Sequence, residues 1–426
     1  MLKLVEEIRV ENFKSIEKLN LPLGRVNVFI GENGAGKSNI LEAVAFAAAA
    51  AAEKIDNEFL SARGIRVSRP DLMRSAFDKY NSDKDIKFSL TLNSHEGVKN
   101  EYDFSISSDD RPYASWKISE IDESSNVLSF SEIDLNKFES LLRVAFGINE
   151  EDSNISDVEK RNLRVIQAMV NSINSKKSTF EKNKSGKISI KVDLNDEEEE
   201  FYEARKKLAR EEFGRFVIFS PENTALRSLQ SEGQIVPLGV NGEGLLQFLA
   251  TLAEKEEEDF TQIKNALSLF TWFSDLKVDS EDAQNPFKLR DRFLDPNFGW
   301  MDQRSANEGF LFAAFYFSLF TSKLTPRFFA IDNIDASLNP KLCQELMVSI
   351  NKLSKINNKQ AILTTHNPAI LDGLDLTDPE QKLFVVSRDR KGKTRVRSFD
   401  KPEAVETTRL SELYIRGLLG GLPKGF

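Results

Sequence analysis

The chain has 426 residues, ordinary hydrophobic (40%) and charged (29%) fractions and a net charge of -9, which excludes a surface coated for nucleic acid but leaves room for a local basic groove. One cysteine, Cys343, and two histidines, His95 and His366, exclude an intramolecular disulfide, a cysteine-rich zinc site and a two-histidine device within one chain. The longest apolar stretch, Ile40 to Ala52, contains Glu42 and is too short to span a bilayer, and Met1 to Glu7 lacks the features of a secretory leader, so the expected setting is cytoplasmic, without membrane.

In chain order, Glu7 to Asn12 alternates polar and apolar residues and Val26 to Ile30 is a short apolar run ending in glycine; both read as strands. The alanine-rich segment from about Lys37 to Ala52 predicts a helix. Between Ile86 and Ser129 the alternation is clean, as in Lys87 to Leu92 and Tyr102 to Ile106, and predicts an antiparallel sheet. From about Asp134 to Arg215 the chain turns charged and helical. There Glu203 and Lys207 lie one helical turn apart, and a solvated helix is the plain reading, with a partner-binding arm as the sharper one. Arg327 to Ile331 and Gln360 to Thr364 read as buried strands, and Leu383 to Arg397 as a hairpin turning at Lys391-Gly392-Lys393. The chain thus divides into an N-terminal lobe (1–133), a charged helical insertion (134–215) and a C-terminal lobe (216–426).

Residues Gly31-Glu32-Asn33-Gly34-Ala35-Gly36-Lys37-Ser38 fit G-x-x-x-x-G-K-[ST] in full, between an apolar strand and a strong helix former. The glycines permit backbone conformations that turn several N–H groups toward one anion, and the following helix directs its positive end there. Lys37 suits the β- and γ-phosphates and Ser38 a Mg²⁺ ion; Asn33, Gly34, Gly36 and Asn39 complete the predicted cradle. A phosphate loop needs a second strand ending in a metal-directed carboxylate. Phe328-Phe329-Ala330-Ile331-Asp332 supplies it, so Ser38 and Asp332 form the expected metal pair. His366, at the mouth of the next apolar strand, falls where the γ-phosphate should lie, whereas His95 in a Ser94-His95-Glu96-Gly97 turn reads as merely exposed.

The order of these pieces resembles the ABC-type ATPase heads of the RecF, SMC and OLD group over residues 1–52 and roughly 216–390. The resemblance implies an α/β ABC ATPase head: a mixed and parallel core sheet, an antiparallel β-subdomain and a helical insertion. Ile8 to Ile16 looks like that group's opening strand, in which a basic residue at the Lys14 position approaches the nucleotide. Ser305-Ala306-Asn307-Glu308-Gly309 resembles a degenerate ABC signature, which implies that Ser305, Glu308 and Gly309 bind the γ-phosphate of ATP held by a second copy. Ser337-Leu338-Asn339-Pro340 resembles the D-loop, and Ser220-Pro221-Glu222-Asn223 lies at the Q-loop position without its glutamine.

Two departures matter. The group usually carries glutamate directly after the metal aspartate as the base that activates water; here Asn333 stands there, leaving Asp335 and His366 as the other catalytic candidates beside Asp332. OLD-type nucleases also append a Toprim domain, for which the 60 residues after His366 are too few. The expected function is an ATP- and Mg²⁺-dependent, slowly hydrolysing ATPase that forms a homodimer or higher homo-oligomer. It would act as an ATP-gated scaffold for a separate nuclease effector, as in stand-alone OLD/RecF-like ATPases of Septu-type anti-phage operons. A RecF-like ATPase gripping DNA and a structural module with decayed ATPase activity are the alternatives. Two basic clusters bear on nucleic acid as a partner: Arg63, Arg66 and Arg69, and the hairpin residues Arg388, Arg390, Lys391, Lys393, Arg395 and Arg397.

Overall fold

The computed structural model describes residues 4–75, 77, 84–93, 99–108, 116–120, 127–130, 179–182, 188–191, 204, 207–228, 237–278, 287–295, 297, 299–400 and 408–420. His95, Glu203 and most of the 134–215 segment lie outside them. Within that segment the described residues include two strands, and residues 207–214 are helical.

The chain opens with three strands rather than two: β1 (Val5–Phe13), β2 (Ile16–Pro22) and β3 (Val26–Ile30). The extra strand arises because β1 and β2 form a tight antiparallel hairpin with Phe13 opposite Ile16. Asn12 and Lys14 turn it with left-handed backbone, at φ 64° and 46°. β4 (Ile86–Asn93), β5 (Lys99–Ser108) and β6 (Trp116–Glu120) extend this sheet in the order β2-β1-β4-β5-β6. β7 (Val127–Phe130) pairs instead with β9 (Ile188–Lys191), which also pairs with β8 (Thr179–Lys182).

The core sheet combines β3 with β10 (Ile218–Phe219), β14 (Phe328–Ile331), β15 (Gln360–Thr364), β16 (Gln381–Arg388) and β17 (Thr394–Ser398), in the order β10-β14-β15-β3-β16-β17. All pairings are parallel except β16 with β17. A parallel sheet covered on both faces needs continuous apolar strands, and β14 shows why four apolar residues in a row are required. Phe328 and Ala330 pack into one hydrophobic cluster, Phe329 and Ile331 into the other. On the first face the Lys37–Ala51 helix lies between the core sheet and the antiparallel sheet, with Ala43 to Ala50 wholly buried. Contact on all sides demands small side chains, which accounts for the alanine run. On the other face pack the helices Leu245–Lys255, Glu257–Leu267, Glu308–Thr321 and Pro340–Ile356. A smaller sheet of β11 (Phe273–Val278), β12 (Phe287–Asp291) and β13 (Met301–Asp302) precedes the Glu308–Thr321 helix. Among the described residues no helix is long and apolar enough to cross a membrane.

Candidate nucleotide site

The carboxyl ends of β3, β14 and β15 meet at one edge of the core sheet, where parallel α/β sheets place their ligand crevices. A cavity of about 320 Å³ opens there, lined by Asn33, Gly34, Gly36, Lys37, Ser38, Asn39, Arg66, Asp332, Asn333, His366 and Arg388. The loop after β3 turns into its helix through Gly36 in the left-handed region (φ 111°), where a Cβ would also meet the Thr394 hydroxyl at 2.2 Å. Thr394 and Ser15 share a 2.7 Å hydroxyl hydrogen bond, and Asn39 Nδ2 donates to Ser15 Oγ at 2.6 Å. The β16–β17 hairpin and the β1–β2 turn therefore brace the loop from behind.

Lys37 Nζ donates to the carbonyls of Gly31 (2.8 Å) and Glu32 (3.1 Å), so its ammonium is folded back onto the loop. Burial lowers its pKa, against the pull of Asp332, Asp335 and Glu32. Ser38 Oγ donates to Asp332 Oδ2 at 3.1 Å. Asn333 adopts left-handed backbone (φ 57°), which asparagine tolerates better than most residues. Asp335 accepts from Thr365 Oγ1 at 2.6 Å. Burial and the Lys37 charge lower the pKa of His366, while Asp335 and Asp332 oppose them.

The remaining sequence-predicted residues lie elsewhere. Lys14 does not line the cavity, because the buried Glu42 carboxylate captures its ammonium, which also donates to the Arg66 carbonyl at 3.1 Å. Ser305 and Glu308 are exposed and outside their own chain's cavity. Asn307 caps the Glu308–Thr321 helix by accepting from Phe310 N–H at 2.8 Å. The Ser337 hydroxyl donates to Glu308, and a Cβ on Gly309 would meet the Ser337 carbonyl at 2.9 Å, so the signature-like and D-loop-like segments are packed together. The segment after β10 joins them: Arg227 donates to the carbonyls of Gln303 (3.1 Å) and Ala306 (2.7 Å).

Each basic cluster has part of its charge paired internally. Arg63 stacks on Phe59 with its guanidinium carbon 3.4 Å from the ring centroid, Arg66 pairs with Glu42 at 2.6 Å, and Arg69 with Asp71 at 2.9 Å. In the hairpin Lys393 pairs with Glu17, Arg395 with Asp389, and Arg397 donates to the Leu419 carbonyl. Arg66, held by Glu42, and Arg388 also line the cavity, a place that sequence spacing alone does not assign to them.

The family described as "AAA domain, putative AbiEii toxin, Type IV TA system" matches residues 26–372. No curated protein matches. Among solved structures, the Smc head bound to the C-winged helix domain of ScpA aligns with a TM-score of 0.51 at 16% identity, covering 94% of this chain and 99% of that one. The SMC head domain from Thermotoga maritima gives 0.45 at 12%, over 94% and 100%. The Smc head domain with an extended coiled coil, bound to the C-terminal domain of ScpA derived from Pyrococcus furiosus, gives 0.47 at 16%, over 97% and 100%. At such identities the likeness concerns the fold, that of an SMC-head ABC ATPase.

Proposed function

The chain belongs to this AAA-domain family and is a nucleotide-binding ATPase-type protein, and from that premise we propose that it binds ATP with Mg²⁺, dimerises on it and hydrolyses it slowly. The observation that carries the reading is the convergence of Lys37, Ser38, Asp332 and His366 on one cavity. Lys37 would exchange two loop carbonyls for phosphate oxygens, which relieves a desolvated ammonium. Ser38 Oγ and Asp332 Oδ2 are hard oxygen donors 3.1 Å apart, a pair suited to a cation that takes its other ligands from phosphate and water. When bound, Mg²⁺ supplies charge neutralisation for the phosphates. Asn333 can orient water but cannot accept its proton, and loss of a positioned base costs about 10²–10⁴-fold in rate.

Ser305, Glu308 and Gly309 serve the cavity of a second copy in a head-to-tail pair, a reading supported by the exposure of Ser305 and Glu308 away from their own cavity. C2 symmetry then provides two sandwiched nucleotides. We place the protein with stand-alone OLD/RecF-like ATPases of Septu-type defence, a cytoplasmic ATP-gated scaffold for a separate nuclease. Sequencing the flanking genes tests that assignment, since the absence of a neighbouring effector gene would count against it. The nucleotide reading is tested by titrating ATP into wild type and Lys37→Ala: binding weakened by about 10²-fold in the variant is expected, and equal affinity in both would reject it.

A further inference from the structure

β15 ends at Thr364, Thr365 follows, and both are wholly buried. The Thr364 hydroxyl donates to Asp332 Oδ1 and accepts the Asn333 N–H at 2.9 Å. In parallel, the Thr365 hydroxyl donates to Asp335 Oδ1 at 2.6 Å and accepts the Asn367 N–H at 2.9 Å. A hydroxyl has a single hydrogen, so each threonine commits its one donor to a carboxylate and a lone pair to a backbone amide.

For Asp332 the consequence is directional. The terminal torsion of an aspartate is broad, so an untethered carboxylate would present its oxygens in many orientations. Here Oδ1 is tied to Thr364, while Oδ2 faces Ser38 Oγ at 3.1 Å. The same threonine oxygen anchors the Asn333 amide at the left-handed turn (φ 57°) by which the chain leaves β14. Side chain and backbone at the end of β14 are thus fixed by one atom of the neighbouring strand.

Resting on the Mg²⁺–ATP reading above, we propose that Thr364 is a positioning residue that aims the Asp332 carboxylate at the cation. It touches neither nucleotide nor metal and acts through Asp332. Removing its hydroxyl weakens metal-dependent binding and spares the phosphate-loop contribution, which depends on Lys37 and the loop amides. A purely structural role would weaken both alike.

The experiment measures affinity for a fluorescent ATP analogue in EDTA and in Mg²⁺, and the Mn²⁺ affinity of the nucleotide complex by electron paramagnetic resonance. Wild type, Thr364→Val and Thr364→Ser are compared. Thr364→Val is expected to keep the EDTA affinity within about twofold and to lose about 10–100-fold in Mn²⁺ affinity, the usual scale for a partner that orients a metal ligand. Thr364→Ser restores the hydroxyl and is expected to recover wild-type metal affinity. Wild-type Mn²⁺ affinity in Thr364→Val, or an equal loss with and without metal, would overturn the proposal. If Thr364→Val does not fold, Thr364→Ala against Thr364→Ser gives the same comparison. Wild type that binds no nucleotide in either buffer would overturn the ATPase reading itself, and this inference with it.

Discussion

Replacing Glu42 by alanine removes a buried anion that holds two cations beside the phosphate loop. Glu42 lies one helical turn beyond Ser38, is 1% exposed, and takes the Lys14 ammonium on one oxygen. Its other oxygen accepts Arg66 Nε at 2.6 Å and the Arg66 N–H at 3.3 Å. Breaking a buried ion pair by deleting one partner costs about 3–5 kcal/mol when the remaining charge stays buried. Lys14 is such a charge, at 13% side-chain exposure, although it keeps the Arg66 carbonyl. Arg66 is 69% exposed and regains water, so its own pairing adds no more than about 1 kcal/mol. The expected loss is therefore about 2–4 kcal/mol, read as the difference in unfolding free energy from urea titrations without nucleotide. Because Arg66 lines the cavity, releasing it also lowers ATP affinity, by about tenfold if one charge-assisted contact worth ~1.4 kcal/mol is lost. Glu42→Gln, which keeps the shape, loses less stability. A Glu42→Ala protein within about 0.5 kcal/mol of wild type would refute the reasoning, since that is the range of surface substitutions.

Lys37→Ala is expected to weaken ATP binding by about 10²-fold, the scale of a charged hydrogen-bonding group worth up to ~3 kcal/mol, as measured by calorimetry. Asn333→Glu is expected to accelerate single-turnover hydrolysis, by up to the 10²–10⁴-fold scale of a restored base, and to lower stability by about 1 kcal/mol because glutamate tolerates the left-handed backbone less well. Unchanged turnover would show that Asn333 does not limit the rate. Because burial depresses the folded pKa of His366, the unfolded chain binds its proton first as pH falls, so this group's contribution is present above about pH 6.5 and lost below it. The stability of wild type relative to His366→Gln is therefore expected to fall between about pH 7.5 and 5.5, and a rise over that range would contradict the shift.

The phosphate loop was legible because its glycines, lysine and serine must be adjacent in sequence to surround one anion. Asp332 was legible because it directly follows the continuous apolar strand β14, and His366 because it lies just beyond β15, whose centre is apolar. Residues whose meaning depends on tertiary approach were not. Arg66 reaches the cavity only because Glu42 draws the 63–69 loop across the Lys37–Ala51 helix, and Arg388 because β16 lies parallel to β3. Thr364 reads as a strand residue until β14 is set beside it. β2, with exposed Lys18 and Asn20 on either side of buried Leu19, has the alternation of a half-buried strand, but its turn through Lys14 is too short to separate it in sequence from β1. Asn333 reads in sequence only as a residue in place of a glutamate, and its fitness for positive φ shows only once the backbone is known.

ATP-driven association is the claim on which the account turns, and light scattering with and without Mg²⁺–ATP tests it most directly. Two copies, each covering the other's Lys37 site with the Ser305–Gly309 segment, in which Ser305, Asn307 and Glu308 are exposed, should double the mass on ATP but not on ADP. Ser305→Arg, which places a bulky cation in that interface, should remain monomeric while still binding nucleotide. A mass unchanged by ATP in wild type, or an ATP-induced dimer undisturbed by Ser305→Arg, would contradict it.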